Sequence, residues 1–289
     1  MDNNIFSGVC TALVTPFLGE KVNYPMMQQL LKRQIDAGIR AVVIAGTTGE
    51  SATLTDAEKI ELFAQSKAYT GSKCSIIAGT GSNSTTHAVE LSLAAEEAGA
   101  DALLVVSPYY NKATADGLFA HYVSIAHAVQ IPVILYNVPS RTGVDIPVSV
   151  YRRLSRVPNI IGVKEASTDI TKIIRIRREC PNSFHIWSGN DDMTVPIISL
   201  GGAGVISVMS NVLPEETIAM TNAALAGDFD TAADLQVKLQ PVTDLLFCEV
   251  SPIPVKYAMN CIGYDCGDCR LPLCRLTKDN QAKLARFWA

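Results

Sequence analysis

The sequence predicts a (β/α)8 barrel followed by a C-terminal helical appendage. Three observations carry that expectation. Eight short apolar, β-branched runs alternate with segments of helical spacing. The runs begin roughly every 20–35 residues, the length of one βα unit. After the eighth unit the strands cease and only helical patterning continues. Continuous apolar strands imply a parallel sheet covered by helices, and eight units close a barrel of about 250 residues. A doubly wound open sheet is the competitor. It usually needs fewer strands and an early glycine-rich phosphate turn, whereas the first run here ends Thr15-Pro16-Phe17.

The predicted strands cover residues 9–14, 41–45, 74–78, 102–106, 133–136, 160–164, 184–187 and 204–208. Helical spacing falls between them at 26–37, 56–69, 86–98, 117–129 and 171–180. Thr55 followed by Glu58 reads as a capping box and Ser84 as a second N-cap. Gly38, Gly71 and Gly99 stand where helices should stop. Residues 214–226 supply the eighth helix, and helices over 229–248, 253–261 and 277–288 follow. Pro241 should interrupt or kink the first of these. The expected division is a barrel over 1–226 and a helical domain over 227–289, with no flexible linker between them.

Hydrophobic content of 48% against 18% charged suits a soluble globular chain with a large core. A net charge of -4 offers no attraction to nucleic acid or an anionic membrane, so neither is expected as a partner. No apolar run reaches the length of a membrane span. The N-terminus lacks the basic-then-apolar pattern of an export signal, so a cytoplasmic chain is expected, its eight cysteines reduced.

A barrel places its active site at the C-terminal ends of its strands. The sixth run, Ile160-Ile161-Gly162-Val163, ends on Lys164. An ammonium there is costly to bury unless paired or deprotonated, and a desolvated lysine is an amine nucleophile toward carbonyls. The alternative is that the strand has run out and Lys164 points into water. The second run ends Ala45-Gly46-Thr47-Thr48-Gly49-Glu50-Ser51, whose hydroxyls and amides suit a carboxylate or an ordinary capped turn. Ser107-Pro108-Tyr109-Tyr110-Asn111 and Tyr136-Asn137-Val138-Pro139-Ser140-Arg141-Thr142-Gly143 close the fourth and fifth. Their phenols suit proton relay or core packing, and Arg141 suits a carboxylate fork or a surface ion pair. Ser188-Gly189-Asn190-Asp191 and Ile206-Ser207 end the last two.

Other signals carry less. Gly79-Thr80-Gly81-Ser82 lacks the spacing and lysine of a phosphate loop, and the glycines of Gly201-Gly202-Ala203-Gly204 precede a strand, at the barrel's bottom. Cys261, Cys266, Cys269 and Cys274 crowd the C-terminal segment, and Cys266-Gly267-Asp268-Cys269 has zinc-like spacing. His87, His121, His127 and His185 do not fall together at strand ends, and most are expected at the surface.

GTTGES from Gly46, YNVPSRTG from Tyr136 and IIGVKEAS from Ile160 resemble the signatures of the dihydrodipicolinate synthase family. SPYYN from Ser107, GNDD from Gly189 and SPIPVK from Ser251 extend the resemblance, which runs from about Gly8 to the C-terminal helix in order. The family belongs to the lysine-dependent pyruvate aldolases and lyases, with N-acetylneuraminate lyase. The lysine and GTTGE motifs mark that superfamily; PSRTG favours the synthase, since sialate lyases do not generally carry arginine there. The resemblance implies that Lys164 forms a Schiff base with pyruvate, whose enamine attacks L-aspartate 4-semialdehyde on the diaminopimelate route to lysine. It makes Tyr136 the central phenol and Thr47 its link to Tyr110, which reaches the site across a dimer interface. Thr48 then holds the pyruvate carboxylate, Arg141 that of the semialdehyde, and Gly189 and Ile206 line the pocket with backbone. No metal or organic cofactor is implied, because the imine is itself the electron sink. The expected partners are the two small substrates and further copies of the chain, commonly a tetramer built as a dimer of dimers. The alternatives are a related pyruvate aldolase acting on a longer 2-keto acid and a non-catalytic barrel binding pyruvate or lysine.

Known members of the family are inhibited by lysine at a site beside the tyrosine matched by Tyr109. Ser51, Ala52, Asn83 and Tyr109 match that site. Asp56, Lys59 and His87 depart from it, where sensitive members carry two histidines and a glutamate. Lys59 would repel the ligand's ammonium, and His87 removes a carboxylate that would pair with it. Weak or absent lysine feedback is therefore expected.

Overall fold

The computed structural model describes residues 5–288. Eight parallel strands form a closed barrel: β1 (Gly8–Ala12), β2 (Ala41–Ile44), β3 (Ser75–Gly79), β4 (Ala102–Val106), β5 (Val133–Asn137), β6 (Ile160–Glu165), β7 (His185–Ser188) and β8 (Gly204–Ser207). Each pairs with its neighbours in sequence, and β1 pairs with both β2 and β8 to close the ring. The seam is made by two glycines, Gly8 opposite Gly204. A Cβ on Gly204 would sit 1.9 Å from the Gly8 carbonyl oxygen, and its φ of +142° is one that side-chain-bearing residues rarely adopt.

The helices α1 (Tyr24–Ala37), α2 (Asp56–Thr70), α3 (Thr85–Glu97) and α4 (Ala115–Ala128) begin and end within two residues of the expected spans. The Thr55–Glu58 capping box forms in full, and Ser84 caps α3. Shorter elements escaped the sequence: a hairpin of Phe17–Leu18 against Lys21–Val22, a single turn Pro139–Thr142, α5 (Val148–Leu154) and α7 (Thr194–Ser199). Two turns or fewer do not display a helical period. α6 (Ile170–Glu179) and α8 (Pro214–Leu225) complete the ring, and α9 (Phe229–Leu246), α10 (Ile253–Cys261) and α11 (Lys278–Trp288) form the appendage.

α9 runs through Pro241 as a single helix, so of the two expected outcomes, interruption or kink, the interruption does not occur. Pro241 is exposed, and the carbonyl it deprives of a donor belongs to Val237, which is 73% exposed. Exposure on that face leaves the carbonyl open to solvent, which lowers the usual cost of an internal proline. Most of the histidines are expected at the surface, and of the four only His121 is buried. His121 is buried between α3 and α4, its Nδ1 2.9 Å from Thr85 Oγ1, and burial pushes its imidazole down to about 4.

Two apolar layers result. Cys10, Ala12, Val43, Ile77, Leu104, Ile134, Trp187 and Ile206 fill the lumen, while Val9, Val42, Ile76, Val105, Leu135 and Val163 pack outward under the helices. This is the period-two alternation of a strand covered on both faces.

One strand departs from simple alternation. β5 and β6 pair as Val133 with Ile160 but Ile134 with Gly162, so β6 carries one extra residue, Ile161. Ile161 faces the lumen, and a Cβ on Gly162 would strike lumen-facing Trp187 at 2.8 Å, so two consecutive residues address the interior. Uninterrupted alternation from Ile161 would turn Lys164 outward. The bulge resets the count, so Lys164 turns inward opposite Tyr136, while Glu165 turns outward opposite Asn137.

The segment after α10 is fastened to the barrel's top. The Arg270 guanidinium donates to Glu58 at 2.9 and 2.5 Å and to the carbonyls of Thr53 and Glu20, and lies over the Phe17 ring. That hydrogen bonding draws the Glu58 carboxyl down to about 2 from an ordinary 4.5. The folded pKa lies below the unfolded one, so the pair's contribution is complete above about pH 4.5 and is lost as pH falls toward 2. Thermal melts of wild type and Arg270→Met should therefore converge as pH is lowered through that window. A constant difference in melting temperature there would refute the linkage.

Candidate active site

Lys164 is the penultimate residue of β6, which runs one residue past its expected end to Glu165, and it lies inside the lumen, 4% exposed. Its Nζ lies 4.4 Å from the centroid of the Tyr136 ring on β5, and its register partner on β7 is Trp187, fully buried and stacked on Phe6. The lysine thus sits above an apolar floor. Among the described residues no hydrogen bond or ion pair engages its amine. The open alternative, a strand end pointing into water, is excluded by this placement.

Thr47 and Thr48 follow β2 in a loop that departs abruptly from the strand, with Ala45 and Glu50 both at positive φ. Thr48 is buried and Thr47 half-buried. The loop is held from below by the Thr15 hydroxyl donating to Gly49 O at 2.7 Å. It is held from the side by Glu50, whose carboxylate accepts from Lys256 Nζ at 2.7 Å and from Arg270 N at 2.9 Å. Glu50 and Lys256 side chains are 1% and 2% exposed, so a buried ion pair ties the GTTGES loop to α10.

Arg141 lies in the turn Pro139–Thr142 rather than in a loop, exposed, with one nitrogen donating to Ser251 O at 2.9 Å. The remaining donors of its fork face an open cavity of about 610 Å³ whose lining includes Thr47, Tyr109, Val138 and Arg141. Gly189 donates its N–H to Glu165 O at 2.8 Å, and a Cβ there would sit 2.6 Å from that of Ala166. Ile206 is a fully buried lumen residue. Tyr110 does not turn toward this chain's own site: it is 89% exposed, at a φ of +72°.

The residues matched to the lysine site gather in the same cavity. Ser51, Ala52, Asp56, Lys59, His87 and Tyr109 all line it, and Asn83 is engaged next to it through its carbonyl, which accepts from Asn111. Asp56 is already occupied: Lys59 Nζ stands 3.3 Å from one oxygen and His87 Nε2 2.8 Å from the other. Burial opposes ionisation of Asp56, but these two contacts hold its carboxyl below the ordinary range.

Two buried carboxylates support the site, neither of them assigned a role from the sequence. Asp191, in the 3-10 turn after β7, is buried and accepts from the amides of Val208 and Met209, both at 3.0 Å, which shapes the chain leaving β8. Burial pushes its carboxyl up, against the pull of Ser207, those amides and the Lys164 charge. Glu165, fully buried behind the lysine, accepts from Asn137, Ser167 and Tyr151. Its position one residue after Lys164 was the only available signal. Among the described residues no three His, Cys, Asp or Glu side chains come together as a metal-ligating cluster, and all eight cysteines are free thiols. No helix of the described residues is long and apolar enough to cross a membrane.

A closed parallel barrel with a lumen lysine beside a strand-end phenol, under a hydroxyl-rich glycine loop, defines a (β/α)8 protein with a lysine-centred site. The chain belongs to the dihydrodipicolinate synthetase family, whose model matches residues 5–288. It is 48% identical over 277 residues to the 4-hydroxy-tetrahydrodipicolinate synthase of Thermoanaerobacter sp. (strain X514), spanning 96% of this chain and 93% of that protein. Among solved structures it is similar to the dihydrodipicolinate synthase from Aquifex aeolicus, with a TM-score of 0.96 and 41% identity over 98% and 97% of the two chains. A DHDPS from Cyanidioschyzon merolae, solved with lysine bound, matches at a TM-score of 0.95 and 39% identity over 98% and 97% of the two chains.

Proposed function

We propose that this chain is a 4-hydroxy-tetrahydrodipicolinate synthase, a lyase that condenses pyruvate with L-aspartate 4-semialdehyde on the diaminopimelate route to lysine. The single observation that carries the reading is Lys164, buried in the lumen beside the Tyr136 phenol, its amine in no hydrogen bond or ion pair among the described residues. The Lys164 amine adds to the ketone of pyruvate, and loss of water gives the imine. A proton leaves the methyl carbon to give the enamine, which attacks the aldehyde of the second substrate. The substrate's own amine then attacks the imine carbon, closing the ring and releasing Lys164. Tyr136 is placed to carry protons to and from these intermediates. Thr47 connects it to Tyr110 of a neighbouring copy, and Thr48 with the adjacent amides holds the pyruvate carboxylate. Arg141, with donors to spare, takes the carboxylate of the semialdehyde, while Gly189 and Ile206 line the pocket.

A coupled assay with pyruvate and aspartate semialdehyde tests the reading. Turnover is expected, and should fall per chain on dilution as Tyr110 is withdrawn. Inactivity with both substrates at high enzyme concentration would overturn the function, and undiminished turnover of a proven monomer would overturn the shared site.

Lysine is expected to bind weakly, with a Kd above about 1 mM, equivalent to less than about 4 kcal/mol. The cavity already contains an ammonium, that of Lys59, and it occupies the carboxylate a ligand's ammonium would seek. Half-inhibition at micromolar lysine in the same assay would show that Lys59 and His87 do not impede the ligand.

A further inference from the structure

We infer that Lys172 is a positioning residue for the Schiff-base lysine, acting through a buried polar network that locks the bulged register of β6. The inference deepens the proposed function and rests on Lys164 as the imine-forming amine.

The bulge makes the direction of Lys164 a matter of register. A slip of one residue at the end of β6 exchanges the faces of Lys164 and Glu165. Both strands at this point are buried on both faces, so apolar burial at Val163 alone favours one register only modestly. The discriminating contacts lie on the outer face. Glu165 Oε1 accepts from Asn137 Nδ2 at 2.7 Å and from Ser167 N at 2.9 Å. Its Oε2 accepts from Tyr151 OH at 3.0 Å and lies 3.4 Å from Lys172 Nζ. Asn137 in turn donates to Asp145 at 2.8 Å and accepts from Ile146 N at 2.9 Å, and Lys172 pairs with Asp145 as well. The residue after Tyr136 is thereby joined to the residue after Lys164, and both are joined to α5 and α6.

Lys172 is the keystone of this arrangement. Its side chain is 5% exposed and is the cation that faces two carboxylates, one of them fully buried. Without it the buried Glu165 charge lacks compensation, and the network has reason to rearrange. The group that moves with Glu165 is the adjacent Lys164. The carboxylate-holding loop after β2 lies on another strand and does not take part. Loss of Lys172 therefore separates the chemistry from substrate affinity. A displacement of about 1 Å in a reacting group costs about 100-fold in rate.

The test compares wild type, Lys172→Met, Lys172→Arg and Tyr151→Phe for the rate of imine formation with pyruvate, read by borohydride trapping and mass spectrometry, and for the steady-state KM for pyruvate. Folding is monitored by circular dichroism. Lys172→Met is expected to form the imine about 100-fold more slowly, with KM changed by less than about threefold. Lys172→Arg, which keeps the cation, should recover most of the rate. Tyr151→Phe removes a single hydrogen bond at nearly constant volume and should slow imine formation about three- to tenfold, again at constant KM. If Lys172→Met does not fold, the Tyr151→Phe result decides by itself. Wild-type imine rates in the folded variants, or a rate and KM that fall together, overturn the positioning role. Failure of the wild type itself to trap pyruvate would instead remove the functional reading beneath it.

Discussion

Replacing Lys164 with alanine is expected to eliminate borohydride-dependent attachment of pyruvate and to lower turnover by at least about 1,000-fold, or about 4 kcal/mol of barrier. The size follows from the role proposed for Lys164, the amine whose imine with pyruvate serves as the electron sink. Other groups orient the ketone or move protons, but none of them can take up the carbonyl carbon. Among the described residues Lys164 makes no ion pair, and the buried carboxylate that feels its charge, Asp191, keeps its hydrogen bonds from Val208 N and Met209 N. The fold should therefore survive, and unchanged circular dichroism beside lost adduct formation is the diagnostic combination. Trapping of pyruvate on the alanine variant at the wild-type level would move the nucleophile elsewhere and dismantle the proposed mechanism.

The second large effect is on stability. Lys256→Met is expected to cost about 3–5 kcal/mol, because it leaves Glu50 buried with its charge uncompensated. The pair is nearly inaccessible on both sides, and Lys256 also donates to Asp268 O at 3.0 Å and lies over the Phe17 ring. For a chain of this size the loss corresponds to a melting temperature lower by roughly 6–20 °C. Combining it with Glu50→Gln should recover much of the loss, since the neutral amide still accepts from Arg270 N. Equal melting temperatures for wild type, single and double variants would show that the ion pair contributes nothing net. Because Glu50 sits two residues after Thr48, the single variant should also disturb the threonine loop.

Much of the fold was legible because its physics is local and repetitive. A two-sided buried strand must be apolar throughout, and a covering helix must be amphipathic, so the eight alternations at residues 9–208 revealed a barrel before any contact was known. Ser84 and the Thr55–Glu58 box marked helix starts correctly because capping depends on three or four consecutive residues. The turn at Pro139–Thr142 and the helices α5 and α7 were not legible, being too short to show a period. Pro241 did not interrupt its helix, for the opposite reason. Its local preference is real, but exposure of Val237 made the missing donor inexpensive.

The candidate site divides in the same way. Lys164, Tyr136, the two threonines and Arg141 stood out as polar groups at the ends of apolar runs, and motif resemblance ordered them. Glu165, Asn137, Tyr151 and Lys172 did not, because their relation exists only across two strands and two helices. Sequence alone placed a lysine near the C-terminal end of the sixth strand of a barrel. Which way that lysine points was decided only by tertiary structure. Strand alternation has a period of two, so the single extra residue at Ile161 reverses the outcome, and a bulge leaves no local signature in so apolar a run. The reversal holds because the outward partner, Glu165, finds its donors and its cation on elements far along the chain.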